Sequence, residues 1–158
     1  MKSALLKIIL VLLLFLGSTL AYAQKNLVTI KGLSEIIKVD PSVLNHVSLK
    51  AKGHDGKEHT YTGVLLSDIL SKAGIVLGNK RDGISSYLII RAKDNYKTLF
   101  SLAEIDPLFT KSDIILGNLI DNKPLDASDA PFQVIVPQDK LQTRWIRQVV
   151  EIELVKVK

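Results

Sequence analysis

The chain has 158 residues, of which 47% are hydrophobic, with 21 basic residues, 16 acidic residues, one tryptophan and no cysteine. The absence of cysteine excludes disulfides, thiolate metal ligands and thiol nucleophiles. A chain of this length forms one core that buries roughly two-thirds of the unfolded surface, so stability must come from packing.

The first 23 residues have the layout of a secretory signal peptide. Lys2 and Lys7 lie in front of an apolar run that extends from Ile8 to Leu16. The small-residue pattern Ala21-Tyr22-Ala23 ends the segment. The run is too short for a bilayer span, which needs about 20 apolar residues, and no cysteine follows that could carry a lipid anchor. We therefore expect cleavage before Gln24, export to the periplasm or the medium, and no membrane span in the mature chain.

Removal of this segment lowers the net charge. Loss of Lys2 and Lys7 from the 21 basic residues leaves 19 against 16 acidic residues, a net charge of +3. A balance this small predicts neither nucleic acid nor an anionic membrane as a partner. Residues 24–158 contain no repeat and no linker-like stretch, so we predict one domain there.

The first part of this domain is predicted to consist of strands. A short strand is predicted over residues 27–30. A second segment follows over residues 33–39, and Pro41 stops regular structure after it. Alternation of apolar and polar residues over 47–51 indicates a half-buried strand. Asp55-Gly56 has the composition of a two-residue hairpin turn, which predicts a return strand over residues 58–62.

The second part adds two short helices to further strands. Leu65, Leu66, Ile69, Leu70 and Ala73 recur at helical spacing, and Gly74 follows as a C-terminal cap. A capping box at residues 101–104 predicts a second, brief helix. Further strands are predicted at residues 87–92, 99–100, 114–120, 132–136 and 149–157. The result is an α+β, mixed, mostly-strand single domain with two short helices.

Four segments carry a family resemblance when they are taken in order. They are Tyr61-Thr62-Gly63-Val64-Leu65-Leu66 running to Ala73-Gly74, Asp94-Asn95-Tyr96 with residues 100–104, residues 114–116 running to 122–125, and residues 131–137 with Arg144-Trp145-Ile146-Arg147. In this order and spacing they resemble the oxidoreductase molybdopterin-binding domain family, the fold of sulfite oxidase and its relatives. The resemblance implies that fold and, as cofactor, molybdopterin.

The chain departs from that family at the residues that carry its chemistry. Catalytic relatives hold molybdenum through a cysteine thiolate, for which this chain offers only residues 51–53, Ala-Lys-Gly, and Gln133 stands where the family has arginine. The resemblance therefore implies an exported, non-catalytic domain that binds a pterin-type or other anionic small ligand. If the chain is an enzyme, the resemblance implies a molybdopterin-dependent oxidoreductase, with an oxygen ligand replacing the thiolate.

A second interpretation is an accessory module that docks an envelope protein. In this interpretation the partner occupies the former cofactor groove or pairs with an exposed sheet edge. It is compatible with the same fold and the same absence of cysteine.

Four residues are the candidates for ligand binding: Arg144, Arg147, Tyr96 and Asp94. The resemblance implies that Arg144 lies near the pterin or its phosphate, and guanidinium groups suit such a ligand because they offer paired donors. The alternative is that both arginines are solvated while Trp145 packs in the core. Likewise, Asp94 and Tyr96 either face a ligand or form an ordinary turn.

Other polar residues are interpreted as structural. Glu104 is explained as the partner of Ser101 in the capping box. A two-residue turn at Asp55-Gly56 would place His54 and His59 on one strand face with Lys50 and Lys52 and without a carboxylate, which disfavours a metal site. We predict a solvated basic hairpin here, no metal ligands and no catalytic residues.

The signal-peptide interpretation predicts the mature N-terminus. When the full chain is expressed in a host with a secretory pathway, the exported form should begin at Gln24. Intact mass measurement of the exported protein checks this, and an exported form that retains residues 1–23 would contradict it.

Overall fold

The computed structural model describes residues 26–157, so the predicted signal peptide and its cleavage site lie outside the described residues. Those residues form one small α+β domain in which strands predominate, and this coarse prediction is confirmed. The strands are β1 (Val28–Lys31), β2 (Ile36–Val39), β3 (His46–Lys52), β4 (Glu58–Leu65), β5 (Ser86–Ala92), β6 (Lys97–Ser101), β7 (Ile115–Ile120), β8 (Lys123–Pro124), β9 (Gln133–Ile135) and β10 (Val149–Lys156). The helices are α1 (Leu66–Lys72) and α2 (Lys80–Ser85), and single 3₁₀ turns occur at Pro41–Val43, Leu102–Glu104 and Gln142–Arg144.

The strands form two five-stranded sheets. The first has the order β2-β1-β10-β5-β6, in which β1 and β10 are parallel and the other neighbours are antiparallel. The second has the order β3-β4-β7-β8, with β9 paired antiparallel to β7. The last strand of the described chain therefore lies at the centre of the first sheet.

One hydrophobic core joins both sheets. Side chains of β5 alternate between buried and half-buried positions along its whole length, as expected for a strand with one face in the core. Phe100 of β6, Ile115 of β7 and Ile152 of β10 are completely buried and belong to the same cluster. The domain is thus held together by packing between sheets, in keeping with the absence of disulfides.

Helix α1 confirms the predicted helical spacing. Leu66, Ile69 and Leu70 are completely buried. The helix ends where Gly74 adopts φ 77°, and the Ile75 amide then donates to the Leu70 carbonyl at 3.0 Å. This is the bond pattern of a left-handed C-terminal cap, which glycine adopts without steric cost.

The second helix lies at a different place from the predicted one. Residues 101–104 form the predicted capping box, but only the single 3₁₀ turn Leu102–Glu104 follows it. Helix α2 instead begins after Asn79, whose side chain accepts hydrogen bonds from the Arg81 and Asp82 amides. Its Gly83 lies directly against the Phe109 ring, which explains a glycine inside a helix.

The hairpin between β3 and β4 differs by one residue from the prediction. Gly53 donates to the Lys57 carbonyl at 2.8 Å, and Gly56 has φ 78°, so three residues rather than two form the loop. His59 consequently lies opposite Ala51 instead of Lys52. Because strand side chains alternate, this shift moves His59 to the face opposite the lysines. The predicted pairing was wrong.

Gly63 marks a close approach between β4 and β7, and it supplies a stability test. A Cβ atom at this position would lie 2.2 Å from the Leu116 carbonyl oxygen, which belongs to the backbone. Replacing Gly63 by alanine should lower the free energy of unfolding by about 1–3 kcal/mol, the usual cost of overpacking. Urea denaturation followed by circular dichroism measures this change.

The matched control is Gly32→Ala. The nearest atom to a Cβ there is the Glu35 carbonyl oxygen at 3.4 Å, an ordinary contact, so the change should stay within about 0.5 kcal/mol. Equal stability of the two variants would contradict the close approach.

Candidate functional site

Trp145 is the structural centre of the candidate site. Its side chain is 4% exposed, and its indole N–H donates to the Val136 carbonyl at 3.1 Å. The Tyr61 ring meets the indole edge-on, with centroids 5.4 Å apart, and the His54 ring lies at 6.4 Å. These contacts join the β3–β4 hairpin to the segment before β10, in agreement with the interpretation of Trp145 as a core residue.

A pocket of about 360 Å³ lies above Trp145. We call it the Trp145 pocket; its lining includes His54, Asp94, Tyr96, Trp145, Arg147 and Gln148. Three of the four candidate residues, Asp94, Tyr96 and Arg147, therefore border one space. They come from two segments that are distant in sequence, the β5–β6 turn and the stretch that leads into β10.

Asp94 and Tyr96 form the ordinary turn that was considered for them, and both also border the Trp145 pocket. The Asp94 carboxylate accepts a hydrogen bond from the Tyr96 amide at 2.9 Å, and Asn95 between them has φ 70°. This is turn chemistry. The same turn places both residues on the pocket, where the Tyr96 ring is 54% exposed and its hydroxyl donates to the Thr143 carbonyl at 3.4 Å.

Arg147 lies at the pocket with part of its guanidinium accessible. Its side chain is 56% exposed, and Nη1 donates to the Asp129 carboxylate at 3.3 Å. The next residue, Gln148, has φ 51° and donates its side-chain amide to the Ala127 carbonyl at 2.9 Å. The backbone next to Arg147 is therefore held by hydrogen bonds, while more than half of the Arg147 side chain remains exposed at the pocket.

Arg144 lies outside the pocket, in a network of its own. Its guanidinium donates twice to the Asp139 carboxylate, at 2.7 and 3.0 Å, and once to Glu104 at 2.8 Å. It also lies 4.7 Å above the Phe100 ring centroid. The bonds to Asp139 and Glu104 raise the pKa of Arg144, and Arg144 and Arg147 bind different partners instead of converging.

Glu104 has the predicted capping role and a second role. Its carboxylate accepts from the Ser101 amide at 2.9 Å, which confirms the cap, and also accepts from Arg144. Burial acts to raise the pKa of Glu104, but the hydrogen bonds from Arg144 and Ser101 outweigh burial and lower it. The ionised form is favoured, so the carboxylate is suited to hold Arg144 and not to supply a proton.

His59 has two carboxylate partners, contrary to the prediction of a basic hairpin without acidic neighbours. Nδ1 lies 2.6 Å from Asp121 Oδ2, and Nε2 lies 3.1 Å from Asp55 Oδ1. The hydrogen bond with Asp121 and then that with Asp55 raise the pKa of His59. Within residues 26–157, no group of three or more histidine, cysteine, aspartate or glutamate side chains is arranged to hold a metal ion.

No protein-family model matches the chain, and a search of curated proteins returns no significant match. Among residues 26–157, no helix has the length and apolar character needed to cross a bilayer.

The different environments of Arg144 and Arg147 give a testable contrast in stability. Arg144→Ala should lower the free energy of unfolding by about 1–2 kcal/mol, because two carboxylates and a ring lose their partner. Arg147→Ala should change it by less than about 0.5 kcal/mol, because that side chain is mostly solvated. Chemical denaturation of both variants checks this, and a larger loss for Arg147 would contradict the assignment.

Proposed function

We propose that this chain is an exported, non-catalytic domain of the sulfite-oxidase molybdopterin-binding type that holds a small anionic or heteroaromatic ligand. The observation that carries the proposal is the position of Asp94, Tyr96 and Arg147 around the Trp145 pocket. The resemblance of the same segments to the molybdopterin-binding family supports a pterin as the ligand type.

The chemistry of the pocket suits such a ligand. The Asp94 carboxylate accepts hydrogen bonds, which matches the amino and ring N–H groups on one edge of a pterin. The exposed Tyr96 ring offers a surface for a flat heterocycle. Arg147 offers a guanidinium to a carboxylate or phosphate on the far side of that heterocycle. Arg144 contributes indirectly, because its ion pairs hold the Gln142–Arg144 turn beside the pocket.

The residues fit the organic part of molybdopterin and not its metal. The chain has no cysteine to supply a thiolate to molybdenum, and a carboxylate or amide is a much harder ligand. The proposal therefore contains binding and no redox step.

A titration with a carboxypterin tests this proposal. Trp145 is the only tryptophan of the chain and forms part of the pocket lining, so saturable quenching of its emission should report binding without a label. Calorimetry gives the affinity independently. Arg147→Ala should weaken binding by roughly tenfold, the equivalent of one charge-assisted hydrogen bond.

The matched control for the titration is Arg81→Ala, which removes the same charge from an exposed position on α2, away from the pocket. It should leave the affinity unchanged. Absence of saturable binding, or an equal loss in both variants, would contradict ligand binding at this pocket.

The second candidate function is docking of an envelope protein. Strand β2 is an edge of the first sheet, and its Ile36 is 69% exposed with Leu33 close by in sequence at 64%. An unpaired edge with apolar side chains accepts an added strand from a partner. A chain that fails to bind the carboxypterin yet retains an envelope partner would favour this function.

A further inference from the structure

His59 connects two loops through two hydrogen bonds to carboxylates. Asp121, in the turn between β7 and β8, lies 2.6 Å from Nδ1, and Asp55, in the loop between β3 and β4, lies 3.1 Å from Nε2. We call these three residues the His59 link. Ionised carboxylates only accept hydrogen bonds, so both bonds exist together only when both ring nitrogens carry a proton. The geometry is that of a histidinium between two anions.

The loop that Asp55 belongs to is also a wall of the Trp145 pocket. His54, the residue before Asp55, lines the pocket and contacts the Trp145 ring. The same hairpin is also bound to another residue of the pocket lining, because the Gln142 side chain donates to the Lys52 carbonyl at 2.7 Å. The His59 link therefore restrains residues that a ligand in the pocket would touch.

The other titratable groups around the link act on its carboxylates or on Tyr61. The pKa of Asp55 is lowered first by a hydrogen bond from the Lys57 amide, at 3.0 Å, and then by His59 and the Lys57 charge. The pKa of Asp121 is lowered first by His59, then by the Thr60 amide and the Lys123 charge. The Tyr61 ring meets the His59 ring edge-on at 6.2 Å; burial, and then Asp55, Asp121 and Asp129, raise the pKa of Tyr61, which keeps its hydroxyl neutral. The two carboxylates are thus the charged groups that act on His59.

We propose that the His59 link is a proton-sensitive control of the Trp145 pocket. With His59 protonated, Asp55 is held and the loop keeps His54 against Trp145. With His59 neutral, one ring nitrogen presents a lone pair to a carboxylate, that contact is lost, and the loop moves away from the pocket. The effect on the loop is independent of the proposed function, whereas the effect on affinity rests on it.

The direction of the pH dependence follows from linkage. The pKa of His59 is raised in the folded protein above its ordinary value, so the stabilisation from the link is fully present below about pH 6.5, the usual value for an unfolded histidine. It is lost as the pH rises through the pKa of the folded state. The pKa values of Asp55 and Asp121 are lowered, so the link also weakens in strong acid as those carboxylates become protonated.

The first measurement uses the ligand-free protein. Trp145 emission, followed from about pH 5 to about pH 9, should show one transition in the wild type and none in His59→Gln. Asp55→Asn provides a second variant that breaks the link without altering the ring, and it too should lack the transition. A wild-type emission that is constant with pH would overturn the proposal.

The chain contains two further histidines that serve as controls. His46 is exposed and lies at the far end of β3, so His46→Gln should keep the transition. His54→Gln removes the ring that contacts Trp145, so the amplitude of the transition should change, while its midpoint should stay the same because it is assigned to His59. Loss of the transition in His54→Gln with its retention in His59→Gln would overturn the proposal in favour of direct quenching by His54.

The second measurement repeats the carboxypterin titration on both sides of the transition. Wild-type affinity should fall by roughly fivefold at the higher pH, as expected for loss of one hydrogen bond, while the affinity of His59→Gln should not follow it. The ligand is the same in both titrations. Any pH dependence that comes from the ligand itself therefore affects both proteins equally and cancels when their affinities are compared. An emission transition without any binding would overturn the proposed ligand and leave the link in place, whereas binding with equal pH dependence in both proteins would overturn the link.

Discussion

The burial of Trp145 is the interaction on which the site depends. The indole is anchored to the Val136 carbonyl and packed against Tyr61 of β4, so it joins the second sheet to the segment that leads into β10. Its neighbours Arg144 and Arg147 are therefore directed to separate carboxylates instead of to one ligand. With the Trp145 ring buried between them, Arg147 is the more exposed of the two arginines. The same ring forms part of the lining of the pocket.

The secondary structure was predictable where one face of an element is buried. The alternation along β3, the apolar run of β5 and the helical spacing of Leu66, Ile69 and Leu70 record that burial in the sequence. Helix α2 was missed because Gly78 before it and Gly83 inside it are typical of a loop. The Phe109 ring packed against Gly83 explains why this helix contains a glycine. The β3–β4 register was missed because Asp-Gly fits a two-residue turn as well as the three-residue loop that places Gly56 at positive φ.

The site was predictable in part, and the residues show why. Asp94, Tyr96 and Arg147 were proposed from motif order, and the fold places them on one pocket. The partners of Arg144 were not predictable, because Glu104 lies 40 positions away in sequence and was already accounted for as a cap. His59 was misassigned because its face depends on the hairpin register, and its partner Asp121 comes from a different hairpin. Contacts between distant segments leave no periodic pattern in the sequence.

Ion pairs of Arg144 hold one side of the Trp145 pocket, and hydrogen bonds of His59 help to hold the other. This difference is the basis for the proposed control of the pocket by pH. Arg144 remains charged at every physiological pH, so the turn that ends at Arg144 is held by ion pairs that do not respond to protons near neutrality. The hairpin wall is held by the Gln142 bond to Lys52 and, at Asp55, through His59, and histidine is the one type of side chain whose unperturbed pKa lies in that range. A change of pH near neutrality therefore acts on one wall while the floor and the other wall stay fixed. Such an arrangement changes the shape of a binding site without unfolding the domain that carries it.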